Sequence, residues 1–194
     1  MDFVTRFINA YSPNLSDTSR KIFESNIQVK TYKKGDIIVN YGEIPTNFYI
    51  LKSGILRSFV RDAKGREHIR TIYTPITTSG SLSSLITKKP SNAIYDCLTD
   101  AEILVGDFPS FIKSTEEHHD LALFYNRVLE SIFIRTERRI YDLSVLNATE
   151  RYIKLKEDYP DINNLIQQYH IASYLNITPV QLSRIRKELY SKKE

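Results

Sequence analysis

Hydrophobic and polar residues change their period once along this chain. Between residues 27 and 107, short runs rich in β-branched and aromatic residues alternate with glycine-bearing turns: IQVKTY, DIIVNY, NFYILKSG, ILRSFVRD, EHIRTIYT, NAIYDCLT and AEILVGD. This spacing predicts an antiparallel sandwich or roll, with Ala63-Lys64-Gly65 as a hairpin turn. Short helices are expected before it, at 2–11 and 16–26.

After Asp107 the pattern is helical. DFPSFIKS reads as a short helix with Pro109 in its first turn. A long helix is expected from Glu116 to Val145, with Glu116, Glu117 and Asp120 complementing the dipole at its start. Its apolar residues include Leu121, Phe124, Val128, Ile132, Phe133, Ile140 and Leu143, too many for one narrow stripe. One face should pack on the roll and the other on a second subunit. The alternative is a central core helix in a monomer. Arg135 and Arg139 interrupt the heptad, which argues against a long regular coiled coil. Three shorter helices are expected at 148–158, 163–175 and 178–191.

Composition sharpens this division. All six glycines lie within the first 106 residues, where turns are needed. The 27 Lys and Arg exceed the 23 Asp and Glu by only four, so any contact with nucleic acid must be local rather than a general field. A single cysteine, Cys97, excludes an intramolecular disulfide and a Cys-rich metal or iron–sulfur site. It reads as a small core residue in a strand. Neither the adjacent His118-His119 nor the isolated His68 and His170 have metal-ligand spacing, so no metal is expected. There is no apolar run of membrane-spanning length, and MDFVTRFINAYSPN lacks a signal core; a cytoplasmic protein without membrane contact is expected. No P-loop, nucleophile elbow or HExxH stands out, so an enzyme is not expected.

The most specific motif is QYHIASYLNITPVQLSRIRKEL, Gln168–Leu189, which meets the demands of a helix-turn-helix. Ala172 is small where two helices cross, and Ile171 and Leu175 face the core. Asn176 suits a left-handed turn position. Ile177 plugs the turn, Thr178 can cap the next helix, and Pro179 suits its first position. Leu182, Ile185 and Leu189 form one buried stripe. Gln181, Arg184 and Lys187 lie opposite, flanked by Ser183 and Arg186, and these five together with Thr178 are the candidate DNA-binding residues. Gln181 and Arg184 have the chemistry to read base edges. Arg186, Lys187, Lys192 and Lys193 suit phosphates. The bland alternative is a helical hairpin with a solvated basic face.

Together these parts resemble the Crp–Fnr superfamily of bacterial transcription regulators over nearly the whole chain. KKGDIIVNYGEIPTNFYILKSGILRSFV is similar to that family's cyclic-nucleotide-binding-type roll, through Gly35-Asp36, Gly42, Tyr49-Ile50 and Gly54. ASYLNITPVQLSRIRKE is similar to its DNA-reading segment. The resemblance implies an α+β fold, with an N-terminal antiparallel β roll of jelly-roll type as sensor (residues 1–115). It further implies a long dimerisation helix (116–146) and a C-terminal helix-turn-helix domain (147–194). The expected partners are double-stranded DNA with a palindromic operator, a second copy joined through the long helix, and RNA polymerase.

The effector region departs from the pattern. Members that bind cyclic AMP have Gly-Glu followed by Pro-Arg in a phosphate cassette. Here the stretch is SGSLSSLITKKPSNAIYD: Gly80 and Pro90 match, but Ser81 replaces Glu and Ser91 replaces Arg. Cyclic nucleotide is therefore not the expected cofactor. Gly80, Ser81, Leu82, Ser83, Ser91, Asn92 and Ala93 are the candidate lining of a pocket for some other small effector. Thr71–Thr87 has no charged residue and reads either as a neutral ligand pocket or as a buried, self-satisfied loop. The family's β wings are short or absent, which leaves DNA contact to the recognition helix. The competing reading is a ligand-binding or protein-interaction module with a vestigial DNA-binding domain.

Overall fold

The computed structural model describes residues 2–191. Helices α1 (Phe3–Tyr11) and α2 (Asp17–Ser25) open the chain. Asp2 caps α1 by accepting the Thr5 N–H at 3.0 Å, and Ser16 caps α2 by accepting the Ser19 N–H at 3.2 Å, each satisfying a donor the helix leaves orphaned. The strands are β1 (Ile27–Tyr32), β2 (Ile37–Val39), β3 (Asn47–Ser53), β4 (Leu56–Arg61), β5 (Glu67–Tyr73), β6 (Thr78–Ser79), β7 (Ile94–Cys97) and β8 (Ala101–Asp107). They form two antiparallel four-stranded sheets, in the orders β1-β8-β3-β6 and β2-β7-β4-β5. The expected α+β architecture is therefore present. The β4–β5 hairpin turns at Ala63-Lys64-Gly65, where Asp62 accepts the N–H groups of Lys64 and Arg66 at 2.8 and 3.0 Å. Strand β6 escaped the sequence reading because two residues display no period.

Helix α3 (Leu82–Thr87) lies between β6 and β7. After β8 come α4 (Phe108–Glu117) and α5 (His119–Val145). The expected helix start at Glu116 is corrected: Glu116 and Glu117 end α4, and extended backbone at His118 separates the two helices. The break seats Asp120 in the first turn of α5. There its carboxylate accepts the Ser19 hydroxyl at 2.6 Å and the Ser16 N–H at 3.1 Å. Burial pushes its pKa up, but these bonds prevail and hold it at about 2. The chain continues as α6 (Ala148–Asp158), α7 (Ile162–Leu165), α8 (Gln168–Tyr174) and α9 (Pro179–Ser191). The single helix expected at 163–175 is thus two. Ile166 and Gln167 are extended, which lets Ile166 enter the same core as Ile162 and Ile171.

Three apolar clusters hold this arrangement. Phe7, Phe23, Ile50, Leu104, Phe111 and Phe124 join α1, α2, α4 and α5 to one sheet. Phe23 meets Phe124 nearly edge-on, with ring centroids 5.2 Å apart, a favourable aromatic geometry. Val39, Leu51, Leu56, Tyr95 and Ile103 fill the roll together with Cys97, whose thiol is pushed up to about 12 by burial. The third cluster joins Phe59, Ile69 and Ile72 of the other sheet to Leu155, Ile171 and Leu182. The C-terminal helices therefore pack directly on the roll.

Gly54 links β3 to β4 at φ +91°, and a Cβ there would sit 2.4 Å from the Asp100 carbonyl oxygen. Gly54→Ala should cost about 2–4 kcal/mol through backbone strain and overlap. Thermal unfolding checks this; an unchanged melting temperature would contradict the geometry.

Candidate nucleic-acid interface and effector cavity

The turn after α8 closes as its sequence demands. Asn176 adopts φ +55°. The Ile177 N–H donates to the Ala172 carbonyl at 3.0 Å and the Asn176 N–H to the Ser173 carbonyl at 3.1 Å, the paired bonds of a Schellman motif. Ala172 is fully buried, and Leu182 and Ile185 turn inward from α9. Ser183, Arg184 and Lys187 are exposed on the outer side.

Two of the sequence-selected residues have additional work. Gln181 closes a capping box with Thr178. Its Oε1 accepts the Thr178 N–H at 2.8 Å and the Thr178 hydroxyl at 3.1 Å, while its own N–H donates to Thr178 Oγ1 at 3.2 Å. Bidentate reading of adenine would require that oxygen to leave the cap. Arg186 is half-buried, with Nε enclosed and unpartnered among the described residues, whereas Lys187 stands free in solvent. Lys192 and Lys193 lie outside the described residues.

Helix α8 is anchored to the roll by a polar cluster that the sequence reading missed. Arg57, buried on β4, donates from Nε and Nη2 to Asp96 at 2.7 and 2.9 Å. Its Nη1 donates to Glu67 at 2.7 Å and meets His170 Nδ1 at 3.1 Å. Burial lowers the pKa of His170, and the adjacent Arg57 charge adds to this, bringing it to about 4. Nearby, Ser173 Oγ accepts the Ile69 N–H at 3.0 Å and donates to the Glu67 carbonyl at 2.8 Å. Since β5 is an edge strand, Ser173 satisfies backbone groups that would otherwise lack a ladder.

The candidate effector residues divide. Gly80, Ser81, Leu82, Ser83 and Asn92 line a cavity of about 1110 Å³. Ser91 and Ala93 are not part of that lining; they are buried within the roll. Ser91 Oγ donates to the Ala93 carbonyl at 2.8 Å, and the Ser91 backbone pairs with Gly42 and Glu43. Ser81 Oγ lies 2.8 Å from Ser84 Oγ. The two serines that replace the family's Glu and Arg thus spend their hydroxyls internally. They offer a cyclic phosphate no cation, and a buried phosphate without one is costly. The uncharged stretch Thr71–Thr87 supplies hydroxyls to the cavity, while Arg70, Arg135 and Arg139 bring charge from outside it. Arg135 donates to the Thr78 carbonyl at 3.3 Å.

Along α5, Leu121, Phe124 and Val128 are buried against the N-terminal helices and roll. Phe133, Ile134, Ile140 and Tyr141 form a second apolar stripe, 56–69% exposed in the single chain.

Residues 29–118 match the family of cyclic nucleotide-binding domains. Solved structures extend the likeness along the chain. FixK2 from Bradyrhizobium japonicum is 17% identical, with 86% of each chain covered and a TM-score of 0.74. CLP, the c-di-GMP-responsive global regulator of Xanthomonas campestris, is 14% identical, with 92% of this chain and 93% of that one covered and a TM-score of 0.70. A crp/fnr-family transcriptional regulator from Eubacterium rectale is 18% identical, with 94% and 88% covered and a TM-score of 0.72. At these identities the likeness is one of fold. No curated protein sequence matches the chain.

The capping box makes Thr178 structural as well as exposed. Thr178→Ala should destabilise α9 by about 1 kcal/mol, read as a lower urea midpoint; a midpoint equal to wild type would show that the cap contributes nothing.

Proposed function

We propose, for a chain whose residues 29–118 match the cyclic nucleotide-binding domain family and whose fold is that of Crp/Fnr regulators, a role as a homodimeric, sequence-specific DNA-binding transcription regulator. The observation that carries this reading is the pairing of a Schellman turn at Asn176 with a capped helix whose outer face exposes Arg184. Arg184 is assigned to base edges, Lys187 to phosphate, and Ser183 to the flank of the contact. Thr178 shapes the start of the helix, and Gln181 joins it in the cap. Arg186, being half-buried, supports the helix more than it reaches DNA.

The exposed stripe of α5 supports pairing with the same helix of a second copy. A two-fold dimer would place its reading helices on a palindromic operator with half-sites about one helical turn apart. The role belongs in the cytoplasm, where operator and RNA polymerase are available. The cavity beside Gly80–Ser83 and Asn92 is the proposed effector site. The two cassette serines, neutral and already bonded, do not supply the contacts that cyclic AMP receives in the family, so any anion there would be met by arginines such as Arg70 and Arg135 instead.

Selecting bound duplexes from a random pool with the full-length protein tests the role. Against the selected operator, Arg184→Ala should lose about 5–150-fold in affinity and relax preference at one base pair. Lys187→Ala should weaken all sequences evenly and reduce the salt slope by about 1. Wild-type binding by Arg184→Ala would refute the readout assignment. Failure of the intact protein to bind any duplex at low salt, with dimerisation and metabolite binding retained, would favour an interaction module instead.

Placing a carboxylate in the α5 stripe tests the dimer. Phe133→Asp should shift the protein to monomer in light scattering without unfolding it. A dimer of unchanged strength would move the interface elsewhere.

A further inference from the structure

The Arg57 cluster ties together two parts of the chain that the proposed role treats as sensor and reader. A guanidinium only donates hydrogen bonds. Nη1 therefore meets an acceptor at His170 Nδ1, 3.1 Å away, and that nitrogen carries no proton in this arrangement. Protonation would set N–H against N–H and a second cation beside Arg57, both out of water. Arg57 could not simply turn away, because its Nε and Nη2 are held by Asp96 and Nη1 itself also donates to Glu67.

We infer that this cluster is a latch: it fixes α8, and through the turn α9, on the sheet of the roll, and it releases when His170 takes up a proton. The reading face of α9 stays exposed in the latched posture, so the latch governs where that helix points rather than whether it is covered.

The charged and titratable groups facing the imidazole come from every element around it. Arg57 stands on β4, Glu67 on β5, Asp96 on β7 and Lys34 before β2, while the Tyr169 ring of α8 lies 3.9 Å away between centroids. The two carboxylates favour protonation. Burial and Arg57 oppose it more strongly, and the latched value falls from the ordinary 6.5 to about 4. The sign follows. A depressed histidine stabilises the latched form fully above pH 6.5, and that contribution is lost as pH falls from 6.5 toward 4. Glu67 stays ionised in this window. Burial raises its pKa, but its bonds to Arg57 and Arg61 prevail and hold it below the ordinary carboxylate value.

Hydrogen exchange of the full-length protein reads the latch directly, because the Ile69 N–H donates across the contact to Ser173. After correction for intrinsic exchange, protection at Ile69 and along α8 should fall about 30-fold between pH 7.5 and 5, the ratio that a value of 6.5 released and about 4 latched implies. Protection in β8 should not follow. His170→Asn places an uncharged amide oxygen near the Nδ1 position and should abolish the pH dependence. Should that variant not fold, NMR titration of the His170 imidazole in the wild type serves as the second measurement, with a midpoint well below 6.5 expected. Three results would each overturn the latch: Ile69 protection that is flat with pH or falls together with β8, the same pH dependence in His170→Asn, or an imidazole midpoint near 6.5.

Discussion

A guanidinium drawn into a protein interior dictates its surroundings, and Arg57 does so here. Its charge must be matched and its N–H groups accepted, or burial would cost several kcal/mol. Asp96 provides the match from the neighbouring strand, where it is the register partner of Arg57 across β4 and β7. Glu67 reaches in from β5 on the other side. One side chain thereby binds three adjacent strands of a sheet, and its remaining need for an acceptor falls to a residue of the helix-turn-helix. The apolar cluster around Phe59, Ile69 and Ile171 spans the same contact. The polar cluster gives that contact a register, because the two-toothed Arg–Asp pair fixes the guanidinium that meets His170, and Ser173 bonds to the edge strand beside it.

The sequence made local demands legible and left distant ones hidden. Period-2 runs with glycine turns revealed the roll, and a one-residue turn signal, Asn176, located the crossing of α8 and α9. A capping residue announced the helix start at Thr178, and Pro109 marked the first turn of α4. Where the reading placed a helix start wrongly, a tertiary contact had overruled a local preference. Glu116 and Glu117 are good first-turn residues, but Asp120 is the one that Ser16 and Ser19 hold. Ile166 fits a helical stripe, yet the core takes it in an extended conformation. The Arg57 partners stand 10, 39 and 113 residues away in sequence, and no window encodes such separations. A trace was present: Asp96 interrupts the otherwise apolar strand IYDC, and a charge in such a position must be paired.

Gln181 shows how one side chain can answer two demands incompatibly. Its spacing from Thr178 suits a capping box, and its place on the outer face suits adenine. The same oxygen serves both, so occupancy of the cap subtracts from its reach toward a base. The proposed readout consequently concentrates on Arg184, whose exposed guanidinium has no comparable internal duty. This also explains why a net charge of only +4 is compatible with DNA as a partner, since direct readout depends on a few placed donors more than on the summed field.

Helix α8 is gripped at both ends. Near its start His170 meets Arg57. At its end Arg139 of α5 donates to the Tyr174 carbonyl and stacks 3.9 Å from the centre of the Tyr174 ring. Arg139, Tyr174 and Asn176 also line the cavity that Ser81, Tyr73 and Tyr95 line from the roll. An occupant of the proposed effector site would therefore lie against the roll, the long helix and the turn before the reading helix at once. A seven-residue helix is only about 10 Å long, too short to bend appreciably between its two attachments. Arg139 and Arg57 thus attach to opposite ends of the same short element, and the Schellman bonds join that element to α9. Between the cavity and α9 stands only this one short helix, held at its two ends by arginines from the long helix and from the roll.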